Sequence, residues 1–332
     1  MRRARILGTG SFVPERVVTN AELAPLVDST DAWIVERTGI RERRWVEAGS
    51  GVGSAALGTE AARRALEAAG VAPGDVTMVV FATLSPDFDF PGNGVLLERA
   101  LGMRHPATLD VRQQCNGFLY GLHVADGFIR SGLHERVLVV ASEVQSTGLD
   151  VSARGRDMTV IFADGAGAAV LGAEEGDRGV LRTILHAEGA HAGDLRCELP
   201  SSKSSPRITV EGLLEGRHYP RMNGRIVFRH AVERMTEVAR EVLVAEGLTV
   251  YDIDLVVPHQ ANLRIIDNVR QALGLPTEKV YTNVERFGNT TGASIPLALD
   301  EARRAGRVAD GDLVLLLAFG AGFQWGASLV RI

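Results

Sequence analysis

The chain has 332 residues, enough for one large domain or for two of ordinary size. Apolar residues make up 45% and charged residues 23%, the balance of a globular protein, and the net charge is −5. This charge excludes a broad attraction to nucleic acid or to an anionic membrane, so an acidic partner would need a local basic patch.

Two cysteines, Cys115 and Cys197, are too few for a disulfide framework, and no C-x-x-C or H-x-x-x-H spacing indicates a metal site. The apolar run near the N-terminus is too short for a signal peptide. No stretch approaches the roughly 18 apolar residues of a membrane span. We therefore expect a cytoplasmic protein with no metal and no membrane segment.

Along the chain, a pattern of a helix followed by a buried strand occurs at residues 61–83 and recurs later in the sequence. Residues 61–83 and 238–260 align without a gap at a constant offset of 177, and each reads as a helix, a glycine, a turn and a buried strand. An "ALG" segment and another apolar strand follow each copy, the strands at 136–143 and 312–320. The repeat predicts two related halves, residues 1–175 and 176–332.

Continuous apolar strands alternate with amphipathic helices, which is typical of an α/β protein whose sheets are covered on both faces. Two such halves predict a pseudo-two-fold molecule with a site between them, at the C-terminal ends of central strands. Residues 190–225 interrupt the pattern because they are polar and rich in serine and arginine. We expect an inserted lid, an interface element or a mobile loop there.

Cys115 lies between a strand-like run and a helical pattern of apolar residues at Phe118, Leu122, Ala125 and Ile129. A free cysteine is usually a small buried hydrophobic residue. A helix N-terminus instead offers N–H donors and partial positive charge, which lower a thiol pKa and activate the thiolate. From the residues alone, Cys115 is equally well a packing residue or a nucleophile.

His259 follows a buried strand in "VVPHQANLRI", which predicts a place at the sheet edge where α/β active sites gather. A lone histidine at such a position is more often structural than functional, but the equivalent residue in the first half is Ala82, so the shared scaffold does not require it. Asn289, in "GNTTGASIP", fits the cap of the following helix. Its position corresponds roughly to that of Cys115, so we expect the two to approach each other.

A cysteine, a histidine and an asparagine at related strand ends suit acyl transfer. The thiolate would take an acyl group as a thioester, and two neutral donors would stabilise an oxyanion or enolate. The glycine-rich segment Phe319–Phe323 would let main-chain N–H groups approach a substrate oxygen, although a tight turn explains it equally well.

Seven motifs in order, "ILGTGSFVPE", "WIVERTGIRER", "QQCNGF", "IFADGAGAAVL", "VPHQANLRI", "GNTTGASIPLALDEA" and "LAFGAGFQWGASLVRI", resemble β-ketoacyl-acyl-carrier-protein synthase III. The resemblance spans residues 4–332 and implies a thiolase-like, five-layered αβαβα fold of two pseudo-two-fold related halves. It also implies a homodimer and a decarboxylative Claisen condensation of an acyl-CoA primer with malonyl-acyl-carrier-protein, in fatty acid initiation or a related pathway. Coenzyme A thioesters would be substrates, with no cofactor.

The resemblance implies a role for each matched residue of the reaction centre. Cys115 would hold the primer as a thioester, while His259 and Asn289 would promote decarboxylation and stabilise the enolate. The backbone N–H groups of Cys115 and Ala321 would form the oxyanion hole. Phe319 would exclude water beside the nucleophile.

It likewise places residues along the path of the substrates. Arg264 would dock the acidic carrier protein, and Phe90 would reach across the dimer to bound the partner's acyl pocket. The implied coenzyme A and pantetheine contacts are Trp33 and Arg37, with Arg156 as a helper, and Met222 and Phe228.

The chain departs from the family pattern near the expected primer site. Gln113, Gln114 and Asn116 flank the cysteine where many members have small residues. Ala321 stands for the oxyanion glycine, which is tolerable because only its N–H is used, and Arg225 replaces a polar amide near the pantetheine path. The insertion at 190–225 is longer than in compact members. These differences leave the primer, and whether the malonyl donor is carried by protein or by coenzyme A, open.

Two other functions are weighed against this one. A secondary-metabolite ketosynthase or acyltransferase of the same fold, using longer or β-keto chains as pyrone-forming enzymes do, is favoured by the altered flank and the insertion. The intact His259 and Asn289 favour ordinary condensation. A non-catalytic coenzyme A- or carrier-binding protein is disfavoured, since its signature would be the loss of one of the three reactive residues.

Overall fold

The structure, a computed structural model, describes residues 2–332. Thirteen strands and eleven α-helices follow one another in this part of the chain. The strands are β1 Arg2–Phe12, β2 Val17–Thr19, β3 Glu42–Arg44, β4 Met78–Ala82, β5 Ala107–Val111, β6 Arg136–Glu143, β7 Gly165–Glu175, β8 Gly179–Ala187, β9 Leu195–Arg196, β10 Arg221–Met222, β11 Leu255–Pro258, β12 Leu313–Gly320 and β13 Gln324–Arg331. The helices are α1 Asn20–Leu23, α2 Asp31–Thr38, α3 Ser54–Ala69, α4 Asn93–Leu101, α5 Gly117–Arg130, α6 Arg156–Thr159, α7 Val210–Leu214, α8 Gly224–Ala245, α9 Leu263–Leu273, α10 Val284–Phe287 and α11 Ser294–Arg304.

Two mixed sheets form the framework. The first has the strand order β1-β7-β6-β4-β5 and lies within residues 2–175, and the second has the order β11-β12-β13-β8 and lies within residues 179–331. In each sheet a parallel pair, β4–β6 or β11–β12, is continued by antiparallel neighbours. The C-terminal ends of the parallel strands therefore form one edge in each half, where loops can carry reactive groups.

The layers explain why the central strands are apolar throughout. In β6, Val137 and Val139 pack in the same core cluster as α5 and α11, between the sheets, whereas Leu138 and Val140 pack with α3. The second sheet is covered on its outer side by α8 and α9. A strand buried on both faces needs an apolar residue at every position. The molecule therefore has five layers: α3, the first sheet, the central helices α5 and α11, the second sheet, and the outer helices α8 and α9. This arrangement confirms the predicted five-layered fold.

The predicted helix after Cys115 is α5, and its apolar positions Phe118, Leu122, Ala125 and Ile129 are all fully buried. The offset of 177 continues beyond the segments in which it was recognised. It relates β6 to β12 and the start of α5 to the start of α11. It also relates two 3-10 turns, Gln114–Asn116 and Thr291–Ala293, whose first residues have left-handed φ angles of 46° and 47°. The counterpart of Cys115 is therefore Gly292, and the rough correspondence expected with Asn289 is off by three residues.

Residues 190–225 have little regular structure but pack against the rest of the chain. Strands β9 and β10 pair antiparallel in a short ribbon, with Leu195 opposite Met222. Leu199 is buried, and Arg207 forms an ion pair of 2.7 Å with Asp89. This segment forms one wall of the cavities described below. None of the helices within residues 2–332 has the length and apolarity needed to cross a bilayer.

Candidate active site

Cys115, His259 and Asn289 line one small cavity between the two halves. Its volume is about 100 Å³, and Phe319 and Gly320 contribute to the same wall. The three polar side chains are 8%, 3% and 4% exposed, so little bulk water reaches them. The structure thus brings together a thiol, an imidazole and a carboxamide that lie far apart in the sequence.

Cys115 lies in the 3-10 turn that leads into α5, directly after the left-handed Gln114. Burial, with the negative charge of Glu143 as a smaller cause, raises the pKa of the Cys115 thiol to about 12. The expectation that the helix N-terminus lowers this pKa is therefore wrong, because desolvation of the thiolate outweighs the favourable backbone N–H groups. Gly320 packs against the turn, and a Cβ there would lie 2.9 Å from the Cys115 Cβ.

A serine fixes the orientation of His259. Its Nδ1 lies 2.6 Å from the Ser294 Oγ, and that hydroxyl also accepts a hydrogen bond of 3.2 Å from the Gln260 N–H. The Ser294 hydroxyl can donate to an unprotonated Nδ1, and in that tautomer Nε2 carries the N–H that is available to a ligand. Burial lowers the pKa of His259 to about 3, so the ring is neutral at ordinary pH.

Backbone groups fix Asn289 in the same way. Its Oδ1 accepts a hydrogen bond of 2.8 Å from the Thr291 N–H, which leaves the Nδ2 amino group as the donor available to a ligand. The Asn289 main chain pairs with the segment around Phe162 in an isolated β-bridge, donating to Ile161 O at 2.9 Å and accepting from Ala163 N at 3.0 Å. Both His259 and Asn289 are therefore neutral, oriented hydrogen-bond donors.

Glu143, at the end of β6, is a buried carboxylate that the sequence analysis missed. It accepts hydrogen bonds from Ser85 Oγ at 2.7 Å, Thr83 Oγ1 at 3.2 Å and Gln145 Nε2 at 3.1 Å. Burial raises its pKa to about 7 despite these donors. An acid that ends an otherwise apolar strand was the signal for it. Ser294 was missed as well, although "GASIP" places it at the first turn of α11.

A second cavity of about 350 Å³ continues from the first and shares Cys115, Phe162 and Leu195 with it. Ala321 and Cys115 both line this cavity, and their expected oxyanion role remains a prediction. Three glutamine side chains, Gln114, Gln145 and Gln324, also line it, together with Arg112 and Arg196. Leu84, Met158, Phe162 and Leu195 line it too, so the cavity beyond the thiol is mostly apolar with a few polar groups.

A third cavity, of about 510 Å³, opens on the opposite side of the small one. Met222 and Phe228 line both, so they connect the mouth to the reactive residues. The remaining positively charged and aromatic groups of this wall are Trp33, Arg37, Arg225 and Arg264.

Cation–π contacts organise the mouth. The guanidinium groups of Arg37 and Arg156 lie 4.7 and 5.0 Å from the Trp33 ring centroid, and that of Arg264 lies 5.5 Å from the Phe228 ring. Arg156 contacts Trp33 but does not line the cavity. An indole with guanidinium groups beside it suits a stacked base and an anionic linker.

Phe90 is separate from these cavities. It is 83% exposed, lies between β4 and α4, and lines none of the three cavities of its own chain. Its expected contact with a partner subunit remains a prediction.

One group of possible metal ligands occurs among the described residues, namely Glu188, His191 and His230, whose ligand atoms lie within 4.8 Å of one another. Glu188 accepts a hydrogen bond of 3.1 Å from Arg234, and His230 Nε2 lies 3.3 Å from an Arg229 nitrogen. A divalent cation here would face two guanidinium charges. We therefore assign no metal to this group.

Comparison with known proteins shows the family of the chain. Family models described as 3-oxoacyl-[acyl-carrier-protein] synthase III and its C-terminal part match residues 109–189 and 243–332. A β-ketoacyl-[acyl-carrier-protein] synthase III of Rhizorhabdus wittichii is 50% identical over the whole of both chains. Solved structures of 3-oxoacyl-[acyl-carrier-protein] synthase III from Aquifex aeolicus and its counterpart from Thermus thermophilus are 39% and 40% identical. Their TM-scores are 0.90 and 0.91, and 99% of this chain is covered in each case, with 100% and 99% of the other chain.

Proposed function

Because the chain belongs to the 3-oxoacyl-[acyl-carrier-protein] synthase III family, we propose that it condenses an acyl primer with malonyl-acyl-carrier-protein to give a 3-oxoacyl-acyl-carrier-protein. The observation that supports this most directly is the single buried cavity lined by Cys115, His259 and Asn289. The relatives favour this function over the alternative of a pyrone-forming or related secondary-metabolite enzyme.

In the first half-reaction, the Cys115 sulfur attacks the thioester carbonyl of an acyl-CoA. The sulfur–carbonyl bond forms, the bond from the carbonyl to coenzyme A breaks, and the proton of the thiol passes to the departing coenzyme A. Because burial raises the pKa of the thiol, Cys115 rests as a neutral thiol and loses its proton in the course of this half-reaction. The backbone N–H groups of Cys115 and Ala321 are proposed to stabilise the oxyanion.

In the second half-reaction, malonyl-acyl-carrier-protein loses carbon dioxide. The electrons of the broken C–C bond move to the thioester oxygen as an enolate, which accepts hydrogen bonds from His259 Nε2 and Asn289 Nδ2. The enolate carbon then attacks the primer thioester and releases the Cys115 sulfur, which recovers a proton. Neutral donors suit this step because no buried ion must be desolvated. Phe319, 4% exposed, is proposed to keep water from the enolate.

Binding of the two carriers is proposed at the mouth. Trp33, Arg37 and Arg156 would hold the adenine of coenzyme A, and Met222 and Phe228 would line the pantetheine path. Arg264, with Arg225 beside it, would dock the acidic carrier protein through a local basic patch, since the net charge of the chain is −5. A cytoplasmic location remains a prediction from the sequence.

The test is acyl transfer to the thiol. Wild-type protein incubated with short acyl-CoAs should gain one acyl mass per chain, located on the Cys115 peptide. Cys115→Ala should gain none, whereas Cys197→Ala, the matched change at the other cysteine, should still be labelled. Labelling of Cys115→Ala at the wild-type level would overturn the assignment of the nucleophile.

A further inference from the structure

We propose that the carboxylate of Glu143 acts on Cys115 through its charge and keeps the resting nucleophile a neutral thiol. This inference rests on the proposed function, because it concerns the residue that would take the acyl group. It assigns a role to a buried acid that neither half-reaction uses. Glu143 would not touch the substrate, so its effect is exerted through the thiol alone.

The relation between the two halves shows that the scaffold does not require an acid at this point. The offset of 177 pairs Glu143, the last residue of β6, with Gly320, the last residue of β12, just as it pairs Cys115 with Gly292. Two equivalent contacts result. Gly320 packs against Cys115 in one of them, and Gly292 faces Glu143 in the other, where a Cβ on the glycine would lie 3.6 Å from Glu143 Oε1.

Gly292 also shows how close the carboxylate is to the turn that carries the nucleophile. A Cβ on this glycine would lie 2.9 Å from the carbonyl oxygen of Gln114, the residue directly before Cys115. Glu143 and the Cys115 turn therefore face each other across one residue that has no side chain. Burial is the largest cause of the raised pKa of the Cys115 thiol, and the charge of Glu143 is the next.

The hydrogen bonds of Glu143 stabilise its charge without cancelling it. Within residues 2–332 it accepts from the hydroxyls of Thr83 and Ser85, the Leu84 N–H and the Gln145 amide, and all four donors are neutral. Neutral donors favour the ionised form of a carboxylate but leave its net charge in place. In a buried site that charge acts strongly on a neighbouring group, and it opposes the formation of a second anion.

Other ionisable or charged side chains lie on the elements around β6 and the nucleophile turn, namely Asp87 after β4, Arg112 after β5, Asp164 before β7 and His259 after β11. They are identical in the wild-type protein and in a variant at Glu143. A ratio of thiol reactivities between these two proteins therefore cancels their titration and reports the ionisation of Glu143.

The test follows the reaction of Cys115 with methyl methanethiosulfonate from about pH 5.5 to about pH 9.5, in a Cys197→Ala background. The thiolate attacks the reagent sulfur, a mixed disulfide forms and methanesulfinate leaves, and intact mass gives the rate. At the lowest pH, where the wild-type carboxyl is protonated, Glu143→Gln should react at the wild-type rate. At about pH 9, where the carboxylate is ionised, it should react about tenfold faster, the effect of a nearby like charge on a thiol.

The change in this ratio should be centred near pH 7, because burial raises the pKa of Glu143 to about 7. The wild-type protein gives an independent reading, since the logarithm of its rate should rise less steeply around pH 7 than above or below it. Glu143→Asp keeps the charge and should stay closer to wild type at about pH 9 than Glu143→Gln does.

Asp300→Asn is the matched control, because it also exchanges a buried carboxylate for an amide. Asp300 bonds Thr9 and Ser11, away from the cavities, so its ratio to wild type should stay near one at every pH. A Glu143→Gln ratio that is constant or falls with pH, or a uniform wild-type slope, would overturn the inference. The reagent needs no acyl-CoA, so either result leaves the proposed function intact, which absence of acylation by acyl-CoAs would overturn separately.

Discussion

At the scale of single residues, hydrogen-bond partners decide what the polar groups of the site can do. The Ser294 Oγ lies 2.6 Å from His259 Nδ1, and the Thr291 N–H donates to Asn289 Oδ1, so both side chains are held in a fixed orientation. Burial completes the effect by keeping His259 neutral, with a pKa of about 3. Ser294 is thus a positioning residue, acting through the imidazole.

Ser294→Ala should slow decarboxylation of malonyl-acyl-carrier-protein about tenfold to hundredfold, because losing one orienting hydrogen bond costs about 1–3 kcal/mol. Cys115 acylation should change little, which separates a positioning role from general damage.

The pH dependence of the wild-type protein gives another prediction. The rate of decarboxylation should not fall through protonation of His259 between about pH 9 and pH 5, since the neutral imidazole dominates well above pH 3. Rates are measured by carbon dioxide release.

The control for Ser294→Ala is Ser328→Ala, a buried serine that bonds Thr183 in the second sheet, away from the cavities. It should leave decarboxylation unchanged. Equal losses of decarboxylation and acylation in Ser294→Ala would contradict the positioning role.

At the scale of elements, close approach of backbones sets how α3 lies on the first sheet. A Cβ at Gly10 of β1 would lie 2.4 Å from both Ala61 O and Ala65 N, which are backbone atoms of α3. Gly8 has the same relation to the end of the helix, 2.4 Å from Ala69 N. Because a helix backbone cannot move aside as a flexible side chain can, these positions require glycine for space rather than for φ.

Gly10→Ala should therefore lower the free energy of unfolding by about 3 kcal/mol, the upper part of the range for overpacking. Gly127→Ala is the matched change, since Gly127 is exposed in α5 and a Cβ there meets nothing within 4 Å. It should raise stability by about 0.5–1 kcal/mol through helix propensity. Urea unfolding gives both values, and comparable stabilities would refute the packing argument.

At the scale of the whole molecule, one sheet edge is left open. Strand β5 ends the first sheet, and its Leu109 is 38% exposed. Phe88 and Phe90, in the loop that follows the neighbouring strand β4, are exposed as well. An open edge with exposed apolar residues is suited to pairing with a second chain. We propose that the homodimer forms at this edge, where Phe90 would reach the partner's primer cavity.

Leu109→Asp should convert the dimer to monomer, because like charges would be buried opposite each other at the new interface. Leu133→Asp places the same charge on an exposed leucine after α5, and it should leave the dimer intact. Light scattering coupled to size exclusion measures the mass of each. A dimer that persists in Leu109→Asp would place the interface elsewhere.

Much of the architecture was predictable from local patterns. Spacing along the chain decides which face of an element is buried, so the apolar period of α5 and the continuous apolar strands could be recognised from the sequence. The offset of 177 that relates the two halves is a matter of spacing as well. The candidate residues Cys115, His259 and Asn289 were recognisable because polar side chains follow apolar strands at those points. The matched motifs supplied their expected roles.

What the tertiary structure alone decided concerns the surroundings of those residues. The direction of the Cys115 pKa shift and the orientation of His259 depend on contacts between distant segments. So does the cavity that Gln114 and Gln324 both line, although they lie 210 residues apart in the chain. Desolvation and hydrogen bonding act over a few ångströms of space, whatever the distance along the chain. Sequence therefore determined the elements and the positions of these polar side chains, and packing determined their charge state and the cavities that they line.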